Sequence, residues 1–301
     1  MILQTTDLPE MVQRRLDAEF EVVRLPQTGE ARTEFLARRG REIRGIAGKG
    51  DGRVDAELLD QLPALRIVSS FSAGLDRVDV EACRKRGIAV TNTSHVLCEA
   101  VADTGLWLLM GVARRFGEGE VFVRNGSWLK GQMPWGASLK GLKVGIYGLG
   151  HIGRQMASRF AFLGCEVGYH GRNAQGVDYA WFSDLEGLAK WCDAFVIACP
   201  ATPRTIGSVD ADILKAVGPD GFIVNIARGA IVDEAALISA LSSGTLGSAG
   251  LDVFAEEPQV PQPLLEHPKV ICLPHMASAT VQTRIDMGEE MIRQLHAHLA
   301  D

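Results

Sequence analysis

KVGIYGLGHIGRQMASRFAFLGCEVGYHGRN, residues Lys143 to Asn173, reads end to end as strand, glycine turn, helix and strand. Lys143 to Tyr147 is a short apolar run, and Gly148, Leu149, Gly150, His151, Ile152 and Gly153 follow it in the order Gly-x-Gly-x-x-Gly. Arg154 to Leu163 has a helical pattern, Gly164 stops it, and Glu166 to His170 resumes an extended run. That order is a βαβ unit suited to a dinucleotide. Gly148 can take backbone angles closed to other residues, Gly150 puts no side chain between the backbone and a pyrophosphate, and Gly153 lets helix and strand approach closely. The free N–H groups and partial positive charge of the helix start face the two phosphates. With 33 glycines in the chain the spacing alone says little; the strand before it and the helix and strand after it give it meaning.

The alternation continues downstream. Asp193 to Cys199 is a strand ending at Pro200, Phe222 to Ile226 is another, and Ser248 to Leu251 and Val270 to Leu273 complete the sheet. Helices fall near Asp184 to Trp191, Val209 to Ala216 and Asp233 to Leu241, with Asp233 placed as an N-cap. Upstream, extended runs at Glu21 to Arg24, Ile43 to Ala47, Arg66 to Ser69 and Ala89 to Thr91 alternate with helical patterns at Pro9 to Leu16, Glu30 to Arg39, Ala56 to Leu59 and Val78 to Arg86. Both halves therefore predict parallel sheets with helices on both faces. The fold class is α/β: a Rossmann-type cofactor domain and a smaller flavodoxin-like substrate domain, with the cleft between them as the default site.

Between the halves, Glu99 to Arg124 is free of proline and apolar at helical spacing, which predicts one long helix, interrupted if anywhere near the glycines at 111, 117 and 119. Its apolar surface predicts burial in a core or a subunit interface, and a homodimer through this helix and the following loop is the expected partner. That loop, Asn125 to Gly141, is Gly-rich and holds Trp128 and Trp135, which taken singly read as packing anchors.

At 301 residues two domains are expected. The composition, 47% hydrophobic and 23% charged, is that of an ordinary soluble globular chain, and a net charge of −6 without a basic run argues against a nucleic-acid partner. Cys83, Cys98, Cys165, Cys192, Cys199 and Cys272 show no Cys-x-x-Cys pair and no zinc spacing, so buried thiols in a reducing cytoplasm and no metal are expected. The N-terminus lacks a basic region followed by an apolar core, and Val101 to Ala113 contains Asp103 and is too short to span a bilayer, so neither secretion nor a membrane is expected.

Three polar residues stand just beyond the later strands. Arg228 follows Phe222 to Ile226, Glu257 follows Asp252-Val253-Phe254, and His275 follows Val270 to Leu273 and Pro274. An arginine grips a carboxylate through two parallel hydrogen bonds. An imidazole, which in water titrates at about pH 6.5, hands over a proton at working pH, and a neighbouring carboxylate fixes its tautomer. Reduction of a keto acid by hydride needs this set: a cation to orient the acid, a proton donor for the new alkoxide, and a partner for that donor. Upstream, Phe71-Ser72-Ala73-Gly74-Leu75-Asp76 follows a strand as either a plain connection or a turn whose N–H groups hold a carboxylate. Lys49, after an earlier strand, either draws in an anion or is a solvated loop lysine.

Gly148 to Gly153, Asn225-Ile226-Ala227-Arg228-Gly229, Gly250-Leu251-Asp252-Val253-Phe254 with Glu256-Glu257-Pro258, and Leu273-Pro274-His275 together resemble the successive signatures of the D-isomer-specific 2-hydroxyacid dehydrogenases. The likeness extends to Ala73-Gly74-Leu75-Asp76 and Val101-Ala102-Asp103 and so covers nearly the whole chain. It implies that Arg228 binds the substrate carboxylate and carbonyl, His275 gives the proton and Glu257 partners it. Asp252 would meet the nicotinamide carboxamide, and Ala73 and Gly74 would offer N–H groups to the substrate carboxylate. Beside that resemblance, Lys49 is expected among the substrate-binding residues. The cofactor contacts implied are Gly148 to Gly153, Gly171, Arg172, Asn173, Cys199, Pro200, Thr205, Ile226, Ala227 and Asp252. It also implies a split first domain, residues 1–97 with 274–301, completed by a helix near Ala279 to Leu299, around a cofactor domain of 98–273. Glu257 stands where related formate dehydrogenases carry glutamine, which argues against formate.

Cofactor choice rests on the end of the second strand. A carboxylate there would bind the ribose hydroxyls of NAD, but Tyr169-His170-Gly171-Arg172-Asn173 has none, and Arg172 is placed for a 2′-phosphate. The pattern resembles the NADPH-using glyoxylate and hydroxypyruvate reductases of the family. In these a tryptophan from one subunit's connecting loop reaches the other's substrate site, and Trp135 fits that place. The resemblance leaves two other readings, reduction of bulkier 2-keto acids such as phenylpyruvate, and a nucleotide-sensing protein without turnover. The chain ends at Asp301 without the added tail of such sensors.

Overall fold

The computed structural model describes residues 1–26 and 29–300; Asp301, the last residue of the expected first domain, lies outside the described residues. Backbone contacts divide the chain into two compact units, Met1–Leu97 with the segment from Ser278, and Cys98–Ala277.

The first unit is a five-stranded parallel sheet: β1 (Ile2–Gln4), β2 (Val22–Arg24), β3 (Gly45–Gly48), β4 (Ile67–Ser70) and β5 (Ala89–Thr91), in the order β2-β1-β3-β4-β5. This is the flavodoxin-like order. Leu3, Ile46 and Val68 from the three inner strands build the core with Leu36, Leu58, Leu62 and Cys83. Asp55 and Asp79 cap the short helices Ala56–Asp60 and Val80–Lys85 by accepting from Leu58 N (3.0 Å) and Ala82 N (2.8 Å). β1 is an addition to the sequence reading. Three residues cannot display a period, and all three are buried because β1 pairs on both sides. The helix Val281–Leu299 belongs to this unit, where Ser69 Oγ donates to Met291 O and Arg15 pairs with Glu289 at 2.9 Å.

The second unit has seven parallel strands: β6 (Lys143–Tyr147), β7 (Glu166–His170), β8 (Ala180–Phe182), β9 (Ala194–Ile197), β10 (Phe222–Asn225), β11 (Ser248–Leu251) and β12 (Val270–Cys272). Their order, β12-β11-β10-β9-β6-β7-β8, is the Rossmann order with one strand added beyond β11. Phe195, Ile197 and Ile223 of the inner strands pack with Leu188, Leu214 and Leu237 from the covering helices. β8 was not foreseen; Ala180 and Trp181 are exposed on this edge strand, which removes the apolar signal.

The long helix differs from its expected bounds. It runs Ser94–Ala113, breaks at Arg115 with φ 57°, and resumes as Phe116–Arg124. Asn92 Oδ1, accepting from Ser94 N and Ser94 Oγ, starts it five residues early. Gly111 does not interrupt it: a Cβ there would meet Ile271 at 2.6 Å, so the glycine admits a neighbour. With 20 residues and a most apolar 18-residue window of mean hydropathy 1.6, the helix is long and apolar enough to cross a membrane by length and composition, so the argument from a shorter apolar run fails; 56% of that window is buried inside the protein. Trp128 and Trp135 also depart from expectation: both are exposed instead of anchoring the loop, which is held by Ala137 N donating to Ala113 O at 2.7 Å.

Candidate active site

β6 delivers the chain into the glycine turn. Gly148 has φ 103°, and a Cβ on it would lie 2.7 Å from Cys199 N and Cα, so both backbone angle and space demand glycine. A Cβ on Gly153 would collide with Gly148 O, the close helix-to-strand approach expected there. Around Gly150, by contrast, a Cβ would meet nothing within 4 Å. The helix His151–Phe162 starts from Gly150 with no side-chain cap and no acid in its first turn. Its leading N–H groups and positive pole are therefore left for an anion, and the donors present fit a pyrophosphate.

At the end of β7, His170 Nδ1 lies 2.9 Å from Phe182 O, Gly171 has open space where a side chain would be, and Arg172 and Asn173 are exposed. Gln175 folds back over the turn, its Nε2 donating to Leu149 O at 3.0 Å while Arg154 donates to its Oε1. After β9, Cys199 is buried, and burial pushes its thiol up to about 12. Pro200 is exposed, and its carbonyl accepts from Thr205 Oγ1 at 2.7 Å.

The three polar residues of the later strand ends all lie in this second unit. Buried Asn225 shapes the loop after β10: its Oδ1 accepts from Ala227 N at 3.0 Å and its Nδ2 donates to Arg228 O at 2.9 Å. Half-buried Arg228 donates from Nη1 to Ala227 O. A Cβ on Gly229 would collide with the Phe254 carbonyl, so the Arg228 loop lies directly against the loop that carries Glu257. Glu257 accepts from Phe254 N through Oε1 at 3.0 Å, and its Oε2 lies 2.6 Å from His275 Nδ1. A carboxylate can only accept, so Nδ1 carries a hydrogen and Nε2 is the nitrogen left to exchange a proton.

His275 is one of two non-glycine residues with positive φ among the described residues, at 49°. Asp252 holds it there: Asp252 O accepts from His275 N at 2.9 Å, while Oδ1 and Oδ2 accept from Met276 N (2.8 Å) and Ala277 N (2.9 Å). Asp252 is fully buried; burial pushes its carboxyl upward, and the two N–H groups pull it back. This stitching keeps the backbone through Ala277 with the second unit, so His275 sits with Arg228 and Glu257 where the sequence reading began the returning segment at 274.

Lys49, Ala73 and Gly74 lie in the first unit, past the ends of β3 and β4. Lys49 is exposed, its N–H donating to Thr6 Oγ1 at 2.6 Å. Asn92 Nδ2 donates to Ala73 O at 2.8 Å and Ser72 Oγ to Gly74 O at 2.6 Å. Asn92, Asn225 and Gln175 were missed by sequence reasoning; a polar residue at a buried strand end, as in Phe222 to Ile226, was the available signal for Asn225.

Two parallel α/β units, an open dinucleotide turn and an imidazole–carboxylate pair beside an arginine loop define an NAD(P)-dependent oxidoreductase. The chain belongs to the D-isomer-specific 2-hydroxyacid dehydrogenases, whose NAD-binding domain matches residues 106–277. It is 40% identical over 300 residues to hydroxyphenylpyruvate reductase of Plectranthus scutellarioides, covering 99% of this chain and 96% of that one. Against glyoxylate/hydroxypyruvate reductase A of Arabidopsis thaliana it is 38% identical with the same coverage. The crystal structure of an NADPH-dependent glyoxylate/hydroxypyruvate reductase from Sinorhizobium meliloti, in complex with NADP and malonate, superposes with a TM-score of 0.89 at 39% identity, covering 100% of this chain and 94% of that one.

Proposed function

We propose that this chain reduces a small 2-keto acid, glyoxylate or hydroxypyruvate, to the D-2-hydroxy acid with NADPH. The observation that carries the reading is the His275–Glu257 pair at 2.6 Å, with Glu257 itself fixed by Phe254 N. When bound, the nicotinamide supplies hydride to the keto carbon. His275 gives the proton from Nε2 to the forming alkoxide, and Glu257 stabilises the imidazolium before the transfer. Arg228 orients the substrate carboxylate and carbonyl from the loop that packs on Phe254. Residues 98–273 serve the cofactor; residues 1–97 with the returning C-terminal segment serve the substrate, through Ala73, Gly74 and Lys49. Gly148 to Gly153 hold the pyrophosphate, and Cys199, Pro200, Thr205, Ile226, Ala227 and Asp252 line the nicotinamide half.

The preference for NADPH rests on Gly171-Arg172-Asn173. Arg172 is exposed, no carboxylate stands there for ribose hydroxyls, and a relative of 39% identity is an NADPH-dependent enzyme solved with NADP. A charge-assisted contact of ~1.5 to 3 kcal/mol corresponds to roughly a ten- to hundredfold preference. The test is a panel of 2-keto acids assayed with both cofactors, with Arg172→Ala alongside. The expected result is highest kcat/KM for glyoxylate or hydroxypyruvate with NADPH, eroded in the variant chiefly through NADPH KM. Equal efficiency with NADH would sink the cofactor assignment.

Reduction of a bulkier 2-keto acid is the second reading, favoured by the 40% identity to a hydroxyphenylpyruvate reductase. A hydroxyphenylpyruvate kcat/KM above that for glyoxylate selects it. The working form is a cytoplasmic homodimer joined through the helices Ser94–Ala113 and Phe116–Arg124 and the loop after them. The buried thiols suit a reducing compartment, and exposed Trp107, Phe116, Val121, Trp128, Leu129 and Trp135 supply the apolar face.

A further inference from the structure

The N-terminal unit carries a cation that its own fold does not use. Arg284 lies in the first turn or so of the helix Val281–Leu299, whose N-cap is Thr280. The side chain is half-buried, burial holds its guanidinium below the ordinary value, and among the described residues no acid offsets this. A cation near a helix start also faces the positive end of the helix dipole. Its contacts are the Phe71 ring, 5.8 Å from guanidinium to centroid, and Met287 Sδ at 3.7 Å. Burial without a counter-charge and an opposing dipole are both unfavourable, and only a cation–π contact and a weak sulfur contact stand against them.

Phe71 leads directly into Ser72-Ala73-Gly74. Each carbonyl of that turn is occupied by a donor of the same unit: Ser72 O by Thr93 N at 2.9 Å, Ala73 O by Asn92 Nδ2 and Gly74 O by Ser72 Oγ. The N–H groups of Ala73 and Gly74 donate no hydrogen bond among the described residues. Gly50 walls the turn on one side, since a Cβ there would meet Ser72 Oγ at 2.7 Å and Gly74 O at 3.2 Å. Donors without acceptors, beside a guanidinium without an acid, make a site for an anion.

We propose that Arg284 binds the carboxylate held on the Ala73–Gly74 turn, so that the N-terminal unit is an anion site in its own right. The identity of the anion as a 2-keto acid rests on the proposed function. The planar fork of arginine suits a carboxylate in a way that a lysine ammonium does not.

The test compares wild type with Arg284→Gln, Arg284→Lys and Arg284→Met, all as holoenzyme. Arg284→Gln should raise the glyoxylate KM by about tenfold or more, the loss of one charge-assisted contact, with NADPH KM unchanged. The inhibition constant of oxamate, an unreactive carboxylate, should weaken in parallel, and Arg284→Lys should recover part of both. Arg284→Met keeps an apolar chain on Phe71 without the charge and should behave like the glutamine variant. A wild-type KM and oxamate constant in Arg284→Met would overturn the proposal by showing that only packing matters. Were wild type to reduce no 2-keto acid, the proposed function would fail separately; the anion site would then be tested by oxalate, which should raise the Tm of wild type but not of Arg284→Gln. An equal rise in both would overturn it.

Discussion

His275 is held in a backbone conformation that costs a non-glycine residue roughly 1 to 3 kcal/mol, and the bonds from Asp252 over-determine it. Strain kept at one imidazole, with Glu257 on Nδ1, is what a proton donor of fixed direction requires. Replacing His275 by alanine should lower kcat by about 10² to 10⁴ while NADPH still binds, measured by steady-state turnover and cofactor fluorescence titration. Glu257→Gln, whose amide oxygen can still accept from Nδ1 without the charge, should fall between that variant and wild type. Near-normal turnover in His275→Ala would remove it from the mechanism. The places of Arg228, Glu257 and His275 after strand ends were legible because local pattern fixes where each strand stops; the roles given to them rest on the proposed function. Arg284 and the clamping carboxylate of Asp252 were not, because what matters about them is a partner remote in sequence: Phe71 for one, Met276 and Ala277 for the other. The Asp252 bonds also explain why the second unit extends to Ala277.

The same distinction holds for elements. The βαβ stretch from Lys143 was readable to within a few residues because turn, cap and period agree locally. β1 and β8 were not, one for brevity and burial, the other for exposure. The break at Arg115 fell between Gly111 and Gly117, two of the glycines that the sequence singled out, and Gly111 itself serves to admit Ile271. The helix Val281–Leu299 was placed correctly, but the burial of a carboxylate on it, Glu290, shows only in three dimensions. Glu290, 9% exposed, accepts from Arg293 Nε (2.8 Å) and Nη2 (2.7 Å) and from Gln294 Nε2 (2.6 Å), with His95 Nε2 at 3.5 Å. The Arg293 bonds lead in holding its carboxyl below the ordinary range. A depressed carboxyl adds stability above its unfolded pKa of about 4.3 and loses it as pH falls through the folded value. Glu290→Gln should therefore unfold at lower temperature than wild type at pH 7, by about 1 kcal/mol given the exposure of Arg293, and the gap should close towards pH 3. Calorimetry of both proteins across that range checks it; a gap independent of pH would assign the effect to packing.

For the whole molecule, alternation with right-handed crossovers carried the fold class, while the two strand orders are read from the structure. Assembly was less legible. The sequence pointed to an apolar helix, yet 56% of the most apolar window of Ser94–Ala113 is buried within its own chain. Among the described residues, six of the fifteen exposed large apolar side chains lie in the shorter helix and the loop after it, up to Leu129 at 93% and Trp135 at 95% exposure. Side chains so placed are solvated at a cost that a second copy would relieve. Light scattering should find a dimer at micromolar concentration, and Leu129→Asp should shift it to monomer. Trp135 can be tested within the intact dimer. If it completes the partner's substrate site, Trp135→Ala raises the keto-acid KM while the dimer persists. Mixing it with His275→Ala, itself inactive, then restores wild-type KM after subunit exchange, because one site of the mixed dimer has both His275 and a partner's Trp135. No recovery on mixing, with exchange verified by a tagged subunit, would confine Trp135 to its own chain.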